Sequence, residues 1–174
     1  MTMIRDGVVN TPMWNKKGTS CRYNFPSDGK VNNFQAVQWI SEACKQFQYD
    51  IVVTSTWRDY SNYKECLING GLREGIQILG KTEHLEVPEG WSRGYEIQKY
   101  LDEHPEINYF IIIDDEDVPI NKVQREHFIR TIEAHGGFNE EDFFKFEKIY
   151  TSDLDHRGSF AGRKSKAYQK EITF

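Results

Sequence analysis

The chain has no run of about 18 apolar residues that would let a helix span a bilayer, and its first residues lack the long apolar region of a signal peptide. These gaps lead to the expectation of a soluble, cytoplasmic protein that does not enter a membrane. Basic excess is missing too. A formal net charge of -5 on 174 residues argues against a general binder of nucleic acid or anionic lipid, because such proteins carry a positive surface that displaces counterions. Cysteine is scarce. Cys21, Cys44 and Cys66 are odd in number and far apart, which fits neither a disulfide framework nor a zinc knuckle and leaves them as reduced thiols. With 38% hydrophobic content the chain can bury one core, so a single domain over 1–174 is expected, its core reaching about 151 and a basic tail following over 152–174.

What the chain does have is alternation. In "DIVVTSTWR", Ile51, Val52 and Val53 form a β-branched run suited to a strand covered on both faces. Ahead of it, Phe34, Val37, Ile40, Cys44 and Phe47 recur at spacings of three and four, one apolar helix face that Asn32 or Asn33 can cap. "DYSNYKECLINGGL" reads as helix until Gly70 and Gly71, and "IQIL" at 76–79 as a second short strand. "WSRGYEIQKYLDEHP" predicts a helix with Ser92 as N-cap, Ile97 and Leu101 on one face and Pro105 as the stop. "INYFIIID" is the strongest strand. This order predicts an α/β fold: a three-layer, Rossmann-like parallel sheet with helices on both faces and right-handed crossovers. Further on, "EEDFFKFEKIYT" predicts a short helix and then an outer strand, anchored by Phe143, Phe144 and Phe146.

Open parallel sheets place their ligands at the carboxyl ends of the strands, and the strongest strand ends in Asp114 and Asp115. Two adjacent carboxylates repel and lose hydration there, so a hard cation such as Mg²⁺ suits them; a solvated acidic turn is the plainer alternative. Glu116 and Asp117 read as solvated. Other groups point to the same rim: an Asp-Gly turn in "MTMIRDGVVNTP", the hydroxyls of "TSTWR" and the cation Arg93 in "SRGYEI". A hydroxyl, a cation and two acid clusters at successive strand and helix ends suit a phosphate-and-magnesium site.

These motifs resemble the haloacid dehalogenase (HAD) superfamily of phosphohydrolases, in particular the small HAD-like domain group associated with RNA-repair proteins. Its members show a "DGVLN" start, a strand followed by "SSWR", an "RG.EI..WL" helix and a strand ending in "DD". Here "DGVVN", "STWR", "RGYEIQKYL" and "IIIDD" stand in that order from Asp6 to about Asp117. The resemblance implies that Ser55 hydrogen-bonds the transferring phosphoryl group, with Thr54 and Thr56 as neighbouring alternatives. It implies that Arg93 is the charge-balancing cation, with Lys81 in "LGKTEH" as its rival. Asp114 and Asp115 then hold Mg²⁺ together with Asp6, the general acid and base.

One position departs from the pattern. The family's first motif is an aspartate, any residue, and a second aspartate, the first of which attacks phosphorus. That first position is Ile4, which can neither attack nor ligate. Two explanations stay open: the sequence is a piece of a longer protein, or the chain has lost its nucleophile and kept the scaffold. The expected function is accordingly a Mg²⁺-dependent phosphomonoesterase acting on a phosphorylated small molecule, nucleotide or nucleic-acid end, with a degenerate first motif. The alternative is an inactive HAD-like module that binds a phosphorylated ligand or a protein partner.

Weaker readings attach elsewhere. Trp57 and Arg58 either orient a substrate or pack, packing being the commoner role for a Trp at such a junction. His84, His104, His127, His135 and His156 lack metal-ligand spacing and read as surface residues. The segment 15–30 lies where this superfamily inserts a cap, but it is too short for a large one. Arg157, Arg163, Lys164, Lys166 and Tyr168 make the tail basic, which suits either RNA contact or a solvated terminus.

Overall fold

Ile51, Val52 and Val53 are at most 2% exposed and Ile111, Ile112 and Ile113 at most 1%, the burial that covers both faces of a strand. The computed structural model describes residues 2–4, 34–59, 61–69, 71–86, 93–132, 135 and 137–160. Within them β1 (Thr2–Ile4), β2 (Ile51–Val53), β3 (Ile78–Lys81), β4 (Ile111–Asp114) and β5 (Phe128–Arg130) form a five-stranded sheet in the order β3-β2-β1-β4-β5, every pair parallel. The helices are α1 (Phe34–Phe47), α2 (Tyr63–Asn69), α3 (Arg93–Glu103), α4 (Lys122–Glu126) and α5 (Glu140–Phe160), with a single tight turn over Thr56–Asp59.

Successive strand residues point to opposite faces, so the sheet divides its core in two. Ile51, Val53, Ile111, Ile113 and Ile129 pack with Val37 and Ile40 of α1, Leu67 of α2 and Phe146 of α5. Val52 and Ile112, one residue out of phase, pack with Ile97 of α3, Phe110 and Val118. The path of the chain fixes where a ligand can enter. From β1 it moves outward to β2 and β3, then returns to the other side of β1 for β4. The crevice outside the carboxyl ends of β1 and β4 is therefore the topological switch point.

Several boundaries differ from the sequence-based expectation. The second strand spans Ile78–Lys81 rather than 76–79, because Gln77 is held by Asp50 and Ile51 and the ladder shifts register between Ile51 and Val52. The strongest strand is confined to Ile111–Asp114. The short helix and outer strand expected after residue 140 are one continuous helix, α5, which also runs past position 151, where the core was expected to end. Phe143, Phe146 and Tyr150 recur at helical spacing and all meet the Phe47 ring, which locks that segment as helix. Phe144 is not an anchor, being 51% exposed. The outer strand of the sheet is instead β5, reached through α4, whose Asn121 cap accepts the Gln124 N–H at 2.9 Å. Gly71 takes a φ of 99° just past α2, the left-handed geometry expected at its end. Asn32, Asn33, Gly70, Ser92, the segment 15–30 and the tail beyond Phe160 lie outside the described residues.

Candidate active site

Asp114 is the last residue of β4 and is 0% exposed. Its Oδ1 accepts the Glu116 N–H at 2.9 Å, which curls the chain away from the strand, and its backbone carbonyl accepts the Thr131 N–H at 2.9 Å beside β5. Its Oδ2 lies 3.5 Å from Nε of Arg93. Asp115 is half-buried, and its carbonyl accepts Nε of Arg130 at 3.2 Å. Glu116 is half-buried, whereas Asp117 is exposed and pairs with Arg125.

Arg93 opens α3, and its guanidinium also donates from Nη1 to the Thr54 carbonyl just past β2. Since β2 and β4 flank β1, a side chain that touches both Thr54 and Asp114 stands across the carboxyl end of β1. The N-terminal dipole of α3 adds to the positive potential there. Thr54 and Ser55 are both buried beside it. The backbone of Thr56 and Trp57 forms the tight turn that follows. Lys81, the rival cation, is placed elsewhere. It ends β3, separated from β4 by two strands or about 14 Å at ordinary spacing, and its Nζ donates to the Arg58 carbonyl at 2.6 Å and sits 5.7 Å above the Tyr63 ring. Burial raises the pKa of that Tyr63 phenol. Asp6 lies outside the described residues.

Three residues that sequence reasoning passed over hold this arrangement together. Gly94 lies where a Cβ would run into the Val118 carbonyl and the Ile120 side chain, so the loop leaving β4 can seat itself on the first turn of α3 only at a glycine. Buried Gln124 fastens the same contact, donating to the Gly94 carbonyl at 2.9 Å and accepting the Ile120 N–H at 3.2 Å. Glu96 is the third. It is 2% exposed, and its Oε2 lies 2.8 Å from Nη1 of Arg58, itself only 4% exposed. Arg58 also donates to Thr82 Oγ1, and its Nη2 lies 2.6 Å from His84 Nδ1. Nε of Arg58 also donates to His84 Nε2 at 3.3 Å, and the same ring nitrogen lies 2.7 Å from Asp59 Oδ1. Arg58 is thus turned into the protein and not toward a substrate. The "STWR" and "RG.E" motifs are two halves of one buried ion pair, a relation that spacing along the sequence does not reveal.

Among the described residues no three His, Cys, Asp or Glu side chains gather to hold a metal, and no helix is long and apolar enough to cross a membrane. His84, His104 and His127 each face a carboxylate, Asp59, Glu106 and Asp153 respectively, and Cys44 is buried.

A parallel α/β sheet is the kind of fold that HAD-like hydrolase and phosphatase domains have. The family model describing the HAD domain in Swiss Army Knife RNA repair proteins matches residues 5–143, and the chain belongs to that family. No curated protein and no solved structure matches the chain.

Proposed function

We propose that the carboxyl-edge crevice takes the phosphate of a phosphomonoester, and that the chain is a HAD module of the phosphohydrolase type, with a degenerate first motif, that engages a nucleotide or nucleic-acid end. One observation carries this reading: the Arg93 guanidinium is fixed between the Thr54 carbonyl and Asp114, across the switch point. In that place it balances the charge of a bound phosphate, while Ser55, with Thr56 following, offers hydroxyls to phosphoryl oxygens. Membership of a family of domains found in RNA repair proteins supports a nucleic-acid end over a small metabolite. The three-layer, Rossmann-like arrangement belongs to the same reading, supported by the two-sided core.

HAD proteins generally use Mg²⁺, and carboxylate oxygens are the donors it prefers. Asp114 and Asp115 adjoin at the carboxyl edge, one wholly and one half buried, and a hard cation suits such a pair. They would hold it together with Asp6; when bound it would neutralise charge on the phosphoryl oxygens. Asp6 would carry the proton to and from the leaving group.

A second reading rests on Ile4, which ends β1 in register with Val53 and Ile113. A hydrocarbon there cannot attack phosphorus, which favours a module that binds a phosphate without hydrolysing it. Calorimetric titration with tungstate, a phosphate mimic, tests what both readings share. The wild type should bind, Arg93→Ala should bind more weakly, and Lys81→Ala should match the wild type. Weakening by Lys81→Ala alone would move the anion site to β3.

A further inference from the structure

The Thr54 carbonyl accepts hydrogen bonds from two guanidiniums. One is Arg93, which reaches on to Asp114. The other is Arg58, whose Nη1 lies 3.2 Å from the same oxygen. Both cations are tied to α3: Arg93 is its first residue, and Glu96, three positions on and so on the same side of the helix, is the carboxylate that balances Arg58. The second oxygen of Glu96 accepts the Leu85 N–H at 3.2 Å, and Arg58 Nη1 holds Thr82, so the chain leaving β3 is drawn into the same knot. The result is a continuous path, Asp114 to Arg93 to the Thr54 carbonyl to Arg58 to Glu96, that begins and ends on buried carboxylates and returns to the helix from which Arg93 projects.

A buried ion pair is a weak source of stability, because desolvation offsets most of the Coulombic gain. It is a strong source of geometry, because each partner left alone is costly and the pair therefore has one arrangement. Here that geometry concerns the distance between the first turn of α3 and the turn carrying Thr54 and Ser55. We propose that Arg58 and Glu96 are positioning residues: they hold the α3 terminus against the Thr54–Ser55 turn and so set the Arg93 guanidinium between Thr54 and Asp114. The role rests on the phosphate-site reading for its purpose, but the mechanical link can be measured apart from it.

Two measurements on the full chain separate them. Nitrogen-15 relaxation at the Arg93 Nε–H, identified by its loss in Arg93→Ala, reports how firmly the guanidinium is held. It should be rigid in the wild type and mobile in Glu96→Gln, which keeps the shape of the side chain but removes its charge. Arg58→Lys keeps the charge and loses the fork of donors, so it should act in the same direction; it serves if Glu96→Gln does not fold. Tungstate binding should weaken roughly tenfold in either variant, the scale of one misplaced charge-assisted contact, and neither substitution should weaken it further in an Arg93→Ala background. An Arg93 signal that stays rigid in a folded variant overturns the positioning role whatever tungstate does. So does a loss of tungstate binding that persists undiminished without Arg93. If the wild type binds no tungstate while the Arg93 signal responds as stated, the phosphate-site reading falls and the mechanical link stands.

Discussion

Nε of Arg93 stands 3.5 Å from Oδ2 of Asp114, with the carboxylate wholly buried and the arginine side chain 15% exposed. A surface cation reaching toward a ligand would be dispensable to the fold, but this one lies against a carboxylate with no contact to bulk water. Charge balance and site geometry therefore share one contact, and a substitution there must disturb both.

Arg93→Ala should accordingly lower stability by about 1–3 kcal/mol, the cost of removing one partner from a buried polar group. Urea denaturation measures it. A change within about 0.5 kcal/mol, the range of ordinary surface substitutions, would mean that the guanidinium is solvated and the pair contributes nothing to the fold.

Gly94→Ala tests the close approach between α3 and the loop leaving β4. A methyl group there meets the Val118 carbonyl, which is backbone and can move only with its loop, and a loss of about 1–3 kcal/mol is expected from overpacking. Helix propensity alone predicts the opposite sign, since alanine is the better helix former by about 1 kcal/mol. The sign of the stability change decides between them.

Much of this was legible in the sequence, and the reasons are specific. The runs Ile51–Val53 and Ile111–Ile113 are β-branched throughout and could only be strands covered on both faces, and the acids after Ile113 had to fall at a carboxyl end. Helix α1 announced itself by apolar period. What stayed hidden depended on contacts between distant segments. Phe128–Arg130 is too short to read as a strand until β4 offers it an edge. Arg58 stayed open between orienting a substrate and packing because nothing along the chain marks Glu96, thirty-eight residues away, as its partner. The shift of β3 to Ile78–Lys81 follows from a register change that no pattern of apolar residues encodes.

The buried pair itself gives a third expectation. Glu96→Leu alone should destabilise by about 3–5 kcal/mol, because it leaves Arg58 charged and enclosed. Adding Arg58→Leu should recover a large part of that loss, since two apolar side chains replace a pair whose desolvation cost has been removed. Denaturant midpoints of the single and double variants give the coupling energy directly. Strict additivity would show that the two charges do not interact.

A fourth expectation concerns the metal. Calorimetry with Mn²⁺ or Mg²⁺ should register weak binding to the wild type, weak because Ile4 supplies no ligand and one Asp114 oxygen already accepts the Glu116 N–H. Asp114→Asn should abolish the heat and Asp115→Asn should reduce it. Equal heats for the wild type and Asp114→Asn would place any bound cation elsewhere on the chain.

The final expectation turns on Ile4. It closes β1 in register with Val53 and Ile113, and by resemblance to the family it stands at the first position of the first motif, where attack on phosphorus needs a carboxylate that isoleucine lacks. The chain as it stands should therefore show little or no hydrolysis of p-nitrophenyl phosphate even with Mg²⁺, because a cation and hydroxyls stabilise a transferring phosphoryl group but do not attack it. Ile4→Asp should produce magnesium-dependent turnover, and Asp114→Asn on that background should remove it. The gained rate should fall well below that of an evolved phosphatase, since misplacement by about 1 Å can cost on the order of a hundredfold. Vigorous hydrolysis by the unmodified chain, persisting in Asp6→Asn, would show that the catalytic groups lie outside the crevice between β1 and β4.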